Sequence, residues 1–589
     1  MIAPELHLSG TMTLHLVWFR RDLRLIDHPA LHAAAGLGAV LPLFVLDRNL
    51  LFHPETASAR VAFLLASLHA LDRDLRARGG RLLVRQGDPI ELIPALARAS
   101  GARGVIAHHD SERIVGRVRD ARLARRLAVE GIALRWLEQP GATDALLPYP
   151  DYRRFWHGAM AEPPLPAPAT LAVPAAPADP DHPLADLPIP SLAELGLIAD
   201  SKPLPPAGTA AADQLLDRFC TSPASRRYHW ELSYPAALAT TGISPHLKFG
   251  LITPRLVLRR IEPLRRGDTS QQRSWRQLVS RLRWGAGMGQ RFRYLPQLEL
   301  RPLWSCHDPP GELSLSSQQE ELYAAWREGR TGFPIVDAAA RCLAAEGGWR
   351  QLNFRSRAIY ASFLANLCGI DWRYGALHYM RHLFDGDCPI DHYQWAMQAG
   401  ATAAGRRAWT RIYHPGQVAV QRCDPQGLFI RRWLPELADL TNDQLGRPPA
   451  MADYPPPVLD YEQARRRRLE QLERRQHQWR PDGFSAMPAD LTPFGAERIN
   501  GSVVDWAGAA LQELLPTGLD LASLDPPALQ ALSSWFVVRP IGGGSSRDSP
   551  GSSRDSRGSR AAAPGRRRRD TNEPGNEPGV VQLSLLDQA

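Results

Sequence analysis

The run LHLVWF at residues 14–19 decides how the first part of the chain folds. It is short, apolar and rich in branched and aromatic side chains, which is typical of a buried strand. Similar runs occupy residues 40–46, 81–84, 104–107 and 133–137, and amphipathic segments at 60–78 and 115–130 are typical of helices. Strands that alternate with helices predict an α/β domain with a parallel, Rossmann-like sheet. No GxGxxG motif is present, which argues against a dinucleotide site of the usual Rossmann type.

Composition divides the rest of the chain. We expect the α/β domain at 12–141, a Pro- and Ala-rich connector at 142–210 and a large all-α domain at 211–480, where strand signals vanish. A small helical extension is predicted at 481–540. A tail rich in Gly, Ser and Arg follows at 541–579 and is predicted to be disordered, and residues 580–589 form an apolar tip.

Charge and cysteine usage limit the function classes. The 589 residues carry a net charge of +9, which suits a polyanionic partner, although part of the excess lies in arginine runs at 465–468 and 566–569. The six cysteines form no CxxC pair, so we expect no metal site and a reducing, cytoplasmic location. No apolar run approaches the ~20 residues of a membrane span, and no signal peptide is expected.

Ordered motifs extend over most of the chain. They are WFRRDLRL at 18–25 followed by Asp27, TTGISP at 240–245 with KFG at 248–250, GRTGFPIVDA at 329–338, DWR at 371–373, DGD at 385–387 and RRWLPEL at 431–437. Together they resemble the photolyase/cryptochrome family over roughly residues 13–475. The resemblance implies an antenna-type α/β domain, an all-α FAD-binding domain and blue-light chemistry on UV-damaged DNA.

The resemblance implies the residues that bind FAD. Those assigned to the cofactor are Tyr228, Thr240, Thr241, Gly242, Ile243, Ser244, Arg276, Arg357, Asp385 and Asp387. Hydroxyls and backbone N–H groups at a helix start donate hydrogen bonds to phosphates, although an ordinary helix cap uses the same residue types. Arg357 aligns with the arginine over the flavin ring and Asp385 with its acidic partner; a structural salt bridge is the alternative interpretation.

Three further residues are implied in the chemistry. Asp391 aligns with the residue that faces flavin N5, where repair enzymes usually carry Asn and plant-type cryptochromes carry Asp. Trp395 and Trp372 align with the first two members of the tryptophan chain that reduces the flavin, while the third position falls at Ser316. Simple core packing is the alternative role for each Trp.

The implied substrate pocket departs from the family pattern. Trp275 aligns with a stacking Trp, Gln272 replaces a Glu, Met397 replaces a second Trp, and Phe354 replaces an Asn. The histidines that repair (6–4) photoproducts would fall at residues 354 and 358, so cyclobutane pyrimidine dimers are the expected substrate. Arginines at 281, 283, 291 and 293 are candidates for DNA phosphate contacts, or ordinary surface charges.

Two accessory features remain open. Val115 and Gly116 replace the Asn-Glu pair of folate-binding members, so a second antenna chromophore is of unknown identity: a deazaflavin, a second flavin or none. The tip QLSLL resembles the peptide by which bacterial repair proteins bind the sliding clamp, with Gln582, Leu583, Leu585 and Leu586 as contacts; an ordinary apolar end is equally consistent. We expect a monomer that acts as a photolyase. A cryptochrome-type photoreceptor is the main alternative, and a nucleic-acid-binding flavoprotein without light chemistry is a weaker one.

Overall fold

The first domain is built on parallel strands. Its elements are β1 Thr13–Phe19, α1 Pro29–Ala35, β2 Gly38–Asp47, α2 Arg48–Leu51, α3 Ser58–Arg76, β3 Leu83–Gly87, α4 Pro89–Ser100, β4 Gly104–His108, α5 Ile114–Val129 and β5 Ala133–Leu137. The sheet order is β3-β2-β1-β4-β5, and every pair is parallel. The predicted α/β fold is confirmed. Helices α1, α2 and α4 were not predicted; α1 and α2 are short, and Pro94 interrupts the periodic pattern of α4.

The computed structural model describes residues 13–110, 113–308, 313–402, 410–480, 482–488, 491, 511 and 524–535. Most of the predicted extension at 481–540 lies outside this description. The predicted tail at 541–579 and the predicted tip at 580–589 lie outside it entirely.

From Tyr149 onward, the described part of the chain forms helices and no named strand, as predicted for residues 211–480. Its helices are α6 Tyr149–Ala161, α7 Thr209–Thr221, α8 Ala224–Glu231, α9 Ser244–Lys248, α10 Pro254–Arg260, α11 Glu262–Arg265, α12 Thr269–Tyr294, α13 Ser317–Glu328, α14 Pro334–Glu346, α15 Phe354–Ser362, α16 Trp372–Met380, α17 Cys388–Gln398, α18 Gln417–Cys423, α19 Leu428–Trp433, α20 Tyr461–Gln478 and α21 Pro526–Ser533. A π-type turn at Phe363–Leu367 continues α15, and short 3₁₀ turns occur at Pro235–Ala237, Pro296–Glu299, Ser305–His307 and Pro435–Leu437. None of the helices in the described ranges combines the length and the apolar character needed to cross a bilayer.

The connector packs on the α/β domain. Residues 162–208 contain neither helix nor strand, yet Leu171, Leu184 and Leu195 are buried against the clusters on the two sides of the sheet. The backbone N–H of Val40 in β2 also donates to the carbonyl of Ala172. The range 142–210 also contains α6, whose Trp156 is fully buried in the helical core.

The GRTGFPIVDA segment is a closed hydrogen-bonded turn. The buried Asp337 carboxylate accepts bonds from the backbone of Thr331 at 2.8 Å and of Gly332 at 3.1 Å, and from the hydroxyls of Thr331 and Tyr454, both at 2.6 Å. Gly332 has φ +76°, and a Cβ there would lie 2.4 Å from the backbone of Pro456. The glycine is therefore required by a close backbone approach as well as by its φ.

The WFRRDLRL segment joins the two domains. Arg21 bonds Asp387 of the helical domain at 2.6 Å, and the N–H of Leu23 donates to the carbonyl of Phe249 at 3.1 Å. Asp27, fully buried at φ +57°, forms an ion pair with Arg255 of α10. These contacts fix the end of β1 against the helices that surround the site described below.

Asp22 of the same segment lies in a buried carboxylate–histidine cluster with His28 and His108. His108 Nδ1 lies 2.5 Å from Asp22, while its Nε2 accepts from the backbone of Ala30 at 3.3 Å. His28 Nδ1 accepts from the backbone of Leu31, and its Nε2 lies 3.2 Å from Asp22. The backbone donors thus fix tautomers whose N–H groups point at Asp22, which leaves no ring lone pair for a metal in this cluster.

Candidate cofactor site

A cavity of about 380 Å³ opens among the helices of the second domain. This volume lies within the range of ligand pockets, which typically enclose ~300–1,000 Å³. Its walls are formed by α8, the segment that precedes α9, the middle of α12, the start of α15 and the first turns of α17. Among the predicted site residues, those that line it are Tyr228, Thr240, Thr241, Gly242, Ile243, Ser244, Phe354, Arg357, Asp385, Asp387, Asp391 and Trp395.

The segment at 240–244 presents hydroxyls to the cavity. Gly242 adopts φ +72°, and its carbonyl accepts a bond from the indole N–H of Trp349 at 2.9 Å, which holds the turn in place. Within the described part of the chain, the hydroxyls of Thr240, Thr241 and Ser244 make no hydrogen bond. They are therefore available to a ligand that carries acceptor oxygens.

Arg357 and Asp385 form an ion pair inside the cavity. The Arg357 Nη2 lies 3.2 Å from both carboxylate oxygens of Asp385. The Arg357 guanidinium is also oriented by the carbonyl of Leu352 at 2.8 Å, so its position is fixed before any ligand binds. The predicted pairing of these two residues is present.

Asp387 lines the cavity but is already engaged. Its Oδ1 accepts from the N–H of Ile390 and caps α17, and its other oxygen lies 2.6 Å from Arg21 and 3.7 Å from Lys248. The predicted bond from Asp387 to the flavin edge would have to be shared with these groups.

Asp391 contrasts with Asp387. Its side chain is buried, and its Oδ2 has no hydrogen-bond partner in the protein. Burial raises the pKa of Asp391 to about 8, so the carboxyl group is largely protonated at neutral pH. The site therefore offers a neutral acid beside its ion pair.

The aromatic surroundings of Trp395 differ from the predicted chain. Trp395 lies edge-on to Tyr379, with ring centroids 4.9 Å apart, and to Trp326, at 6.0 Å. Trp326 in turn stacks on Tyr323 at 5.9 Å, and Tyr323 is half-buried. Trp372 does not line the cavity; its ring contacts that of His392 at 5.9 Å.

Several predicted residues lie outside the cavity wall. Arg276 is exposed on α12, and Gln272 donates from its side chain to the carbonyl of Gly267. Trp275 packs beside the apolar cluster that contains Tyr228, and Met397 packs against the main helical core. Of the four predicted substrate contacts, the cavity brings in Phe354 alone.

Arg281 and Arg350 also line the cavity, and the sequence indicated neither as a cofactor ligand. Arg281 of α12 faces the cavity, with its guanidinium 4.4 Å from the ring centre of Phe354, and burial lowers the pKa of Arg281. The other arginines considered for DNA phosphates are buried. Arg283 bonds His157, Arg291 bonds the carbonyl of Trp535, and Arg293 pairs with Glu138. A role in free phosphate contacts is therefore wrong for these three.

The residues present fit FAD. Free hydroxyls and Arg281 provide donors for a pyrophosphate, and the Arg357–Asp385 pair and the unpartnered Asp391 oxygen provide polar contacts for a flavin ring.

A second, smaller cavity of about 150 Å³ lies beyond the carboxyl ends of β1 and β2. Its apolar surface comes from Trp18, Phe19 and Phe44, and Arg60 and Lys248 are among its cations. In the sheet order, the connections change direction between β1 and β4, and Asp110, which follows β4, also lines this cavity. Ligands bind open α/β sheets at such a point.

Comparison with known proteins agrees with this geometry. Residues 15–170 match the family described as DNA photolyase, and residues 278–474 match the FAD binding domain of DNA photolyase. The chain is 34% identical over 477 residues to a deoxyribodipyrimidine photo-lyase from Synechococcus sp., which covers 76% of this chain and 93% of that protein. It is 30% identical over 503 residues to cryptochrome-1 of Arabidopsis thaliana, covering 79% of this chain and 70% of that protein.

The solved structures agree with the fold. The crystal structure of a bacterial class III photolyase from Agrobacterium tumefaciens has a TM-score of 0.68 and 27% identity, and covers 80% of this chain and 100% of that one. The motif order, the ion pair in an all-α cavity and the matched FAD-binding domain lead to one conclusion. The chain belongs to the photolyase/cryptochrome family.

Proposed function

We propose that this protein is a deoxyribodipyrimidine photo-lyase that repairs cyclobutane pyrimidine dimers in UV-damaged DNA. Reduced FAD, when bound and excited by blue light, supplies the electron that splits the dimer. The observation that carries the proposal is the Arg357–Asp385 pair, held at 3.2 Å in a cavity that the hydroxyl residues Thr240, Thr241 and Ser244 also line. It rests also on relatives named deoxyribodipyrimidine photo-lyase.

The chain's own groups would position the cofactor. Thr240, Thr241 and Ser244 would donate to the pyrophosphate, with Arg281 as the nearby cation in place of Arg276. Arg357 would offset negative charge on the reduced ring, because an arginine remains charged even when buried. Asp385 holds that arginine in place.

Phe354 and Trp284 supply the aromatic surface that a substrate base would meet in the cavity. Aromatic rings stack on bases that are flipped out of a duplex, and Arg281 lies over both rings, at 4.4 Å from Phe354 and 5.7 Å from Trp284. Phe354 and Ala358 both line the cavity and neither can donate a proton, which supports a cyclobutane dimer as the substrate. Gln272, Trp275 and Met397 stay predictions without support from the cavity.

The test is light-dependent loss of dimers. The purified, reduced protein is mixed with UV-irradiated single-stranded or double-stranded DNA, and dimers are counted before and after blue light. We expect loss in at least one substrate, with dark samples and an Arg357→Gln variant as controls. Flavin-loaded protein that removes dimers from neither substrate would contradict the proposal.

A cryptochrome-type photoreceptor without repair activity is the second candidate. It is favoured by Asp391, a carboxyl where the repair pattern predicts Asn, and by the relative named cryptochrome-1. The same assay separates the two functions, because a photoreceptor would change its absorption on illumination while the dimers remain.

A second chromophore would bind in the cavity beyond β1 and β2. Its aromatic wall and surrounding cations suit a planar ligand with a negative charge. The position at which folate-binding members carry Asn-Glu is instead apolar: Val115 is buried in a cluster with Leu491 and Leu511. This supports a deazaflavin or a second flavin over a folate.

The C-terminal tip is proposed to bind the bacterial sliding clamp through Gln582, Leu583, Leu585 and Leu586, which lie outside the described residues. Leucines that follow a polar residue suit an apolar groove. The Gly-, Ser- and Arg-rich composition of residues 541–581 is typical of a linker, which would hold the enzyme near the clamp.

Deletion of residues 582–586 should abolish binding to the clamp and leave the flavin content unchanged, because the described lining of the cavity is formed by residues between 228 and 398. Surface plasmon resonance on immobilised clamp and the visible absorption spectrum measure the two quantities. Binding that survives the deletion would contradict this role.

We further propose a monomer located in the cytoplasm. The six cysteines are all free, which suits a reducing compartment. Sedimentation velocity of the full chain tests the oligomeric state.

A further inference from the structure

Two buried polar atoms face each other beside the cavity. Asp391 Oδ2 and His392 Nδ1 lie 3.7 Å apart, and neither has a hydrogen-bond partner in the protein. Buried polar atoms are rarely left unpaired, because each costs about 1–3 kcal/mol. A small rotation of either side chain would close this gap into a hydrogen bond.

The other nitrogen of His392 is fixed by a carboxylate from the α/β domain. His392 Nε2 lies 3.1 Å from Glu55 Oε1, and Arg113 holds the other Glu55 oxygen at 2.6 Å. Arg113 also bonds Glu299 at 2.9 Å. The imidazole is therefore placed between two carboxyl groups, one on each domain, with its ring against Trp372.

The charges around the pair favour a cationic imidazole and a neutral acid. Burial lowers the pKa of His392. The Glu55 carboxylate raises this pKa by more than burial lowers it, so the net pKa shift is upward. His392 and Arg357 lower the pKa of Asp391, whereas burial, Glu55 and Asp385 raise it. The remaining ionisable groups near the imidazole are Asp391, Arg113, Glu299 and His53.

We infer that His392, paired with Glu55, is a positioning residue that exchanges a proton with Asp391 and stabilises its carboxylate whenever Asp391 gives a proton into the cavity. The inference rests on the proposed function in one respect only, namely that the group which takes the proton from Asp391 is the flavin. When Asp391 loses its proton, its carboxylate is left 3.7 Å from the imidazolium. The Nδ1 proton of His392 then passes to Asp391, which becomes neutral, and His392 becomes a neutral imidazole whose Nε2–H still donates to Glu55. One proton moves in this step and no electron.

Infrared spectroscopy of the full-length protein tests the pair. The C=O stretch of the protonated Asp391 carboxyl is assigned by its loss in Asp391→Asn and is followed from pH 5 to pH 10. In His392→Gln the midpoint should rise by about one pH unit, a tenfold weaker acid, because the carboxylate loses its imidazolium partner. The control His382→Gln removes a half-buried histidine whose ring packs against His378 and which does not shift the pKa of Asp391, so it should leave the midpoint unchanged.

Glu55→Gln keeps the imidazole and removes its carboxylate partner, so it serves if His392→Gln does not fold. The titration midpoint of His392, measured by NMR with ¹⁵N-labelled histidine, should fall by about one pH unit in this variant. An unchanged Asp391 midpoint in His392→Gln, or an unchanged His392 midpoint in Glu55→Gln, would overturn the inference.

A light experiment adds a kinetic readout. After a blue-light pulse, the Asp391 band should recover more slowly in His392→Gln than in the unmodified protein, and equal recovery rates would overturn the exchange step. Failure of the proposed function and failure of the Asp391–His392 pair give different results. A colourless protein with a coupled Asp391–His392 titration contradicts the proposed function alone, and a flavin-loaded protein with independent titrations contradicts the pair alone.

Discussion

At the scale of single residues, the protonation of Asp391 makes the free energy of unfolding depend on pH. Burial raises its pKa in the folded protein to about 8, while an unfolded aspartate has a pKa of about 3.9. Between these values the folded state binds more protons than the unfolded state. The free energy of unfolding therefore falls as pH rises, by up to about 1.4 kcal/mol per pH unit.

Asp391→Asn removes this titration and keeps a similar shape. The variant should gain stability relative to the unmodified protein as the pH rises from 5 to 8, by about 1–3 kcal/mol in total. Urea unfolding at pH 5, 6.5 and 8 measures the difference. A difference that does not change with pH would contradict the raised pKa.

Gly332 gives a test of backbone crowding. Gly332→Ala would place a Cβ 2.4 Å from the backbone of Pro456 at φ +76°, whereas Gly369→Ala meets nothing within 4 Å at φ +67°. Both variants lose about 1–2 kcal/mol to left-handed strain. Gly332→Ala should lose about 1–3 kcal/mol more through overpacking, measured as a lower midpoint of thermal unfolding. Equal losses of stability in the two variants would show that the turn shifts to make room for the added Cβ.

At the scale of elements, α12 shows what a sequence can and cannot predict. Arg276 and Arg281 are five residues apart, which is about 140° around a helix, so they lie on different faces. The resemblance points to Arg276, but the structure exposes it and turns Arg281 toward the cavity. Residues 240–244, a motif with its own local turn, do line the cavity, and their predicted role in phosphate binding stays a prediction. The orientation of α12 depends on tertiary packing that no local pattern records.

The aromatic contacts between α13 and α17 could not be predicted from the sequence either. Trp326 and Trp395 are far apart in sequence but 6.0 Å apart in space, and Trp326 continues to the half-buried Tyr323. Nothing in the spacing of Trp326 distinguishes it from a core residue. Its ring contacts do distinguish it, because Trp395, Trp326 and Tyr323 form a row of oxidisable rings that begins at the cavity.

Trp326→Phe should therefore slow the photoreduction of oxidised flavin, because phenylalanine is harder to oxidise than tryptophan. The rate is measured by absorption under blue light with an external reductant, and Trp372→Phe is the matched comparison. If Trp372→Phe alone slows the reaction, the electron follows the chain that the family resemblance predicts.

At the scale of the whole molecule, buried ion pairs hold the two domains together. Asp27 is fully buried and pairs with Arg255 of α10. Removal of one partner from a buried pair leaves an uncompensated charge.

Arg255→Gln should cost about 3–5 kcal/mol of unfolding free energy. Arg259→Gln on the same helix is the control: Arg259 is exposed and donates to the carbonyls of Ala161 and Glu162, so about 1 kcal/mol or less is expected. Chemical denaturation measures both, and a similar small loss in each would contradict a structural role for the Asp27–Arg255 pair.

The contact of Glu55 with His392 limits how such proteins can exchange domains. Glu55 lies between α2 and α3 of the first domain, yet it bonds the residue next to Asp391 in the second. A chimera that takes residues 12–141 from a relative would keep every residue that lines the flavin cavity. It would nevertheless lose this carboxylate unless the donor carries one at the same place, so an antenna domain cannot be replaced here as an independent part.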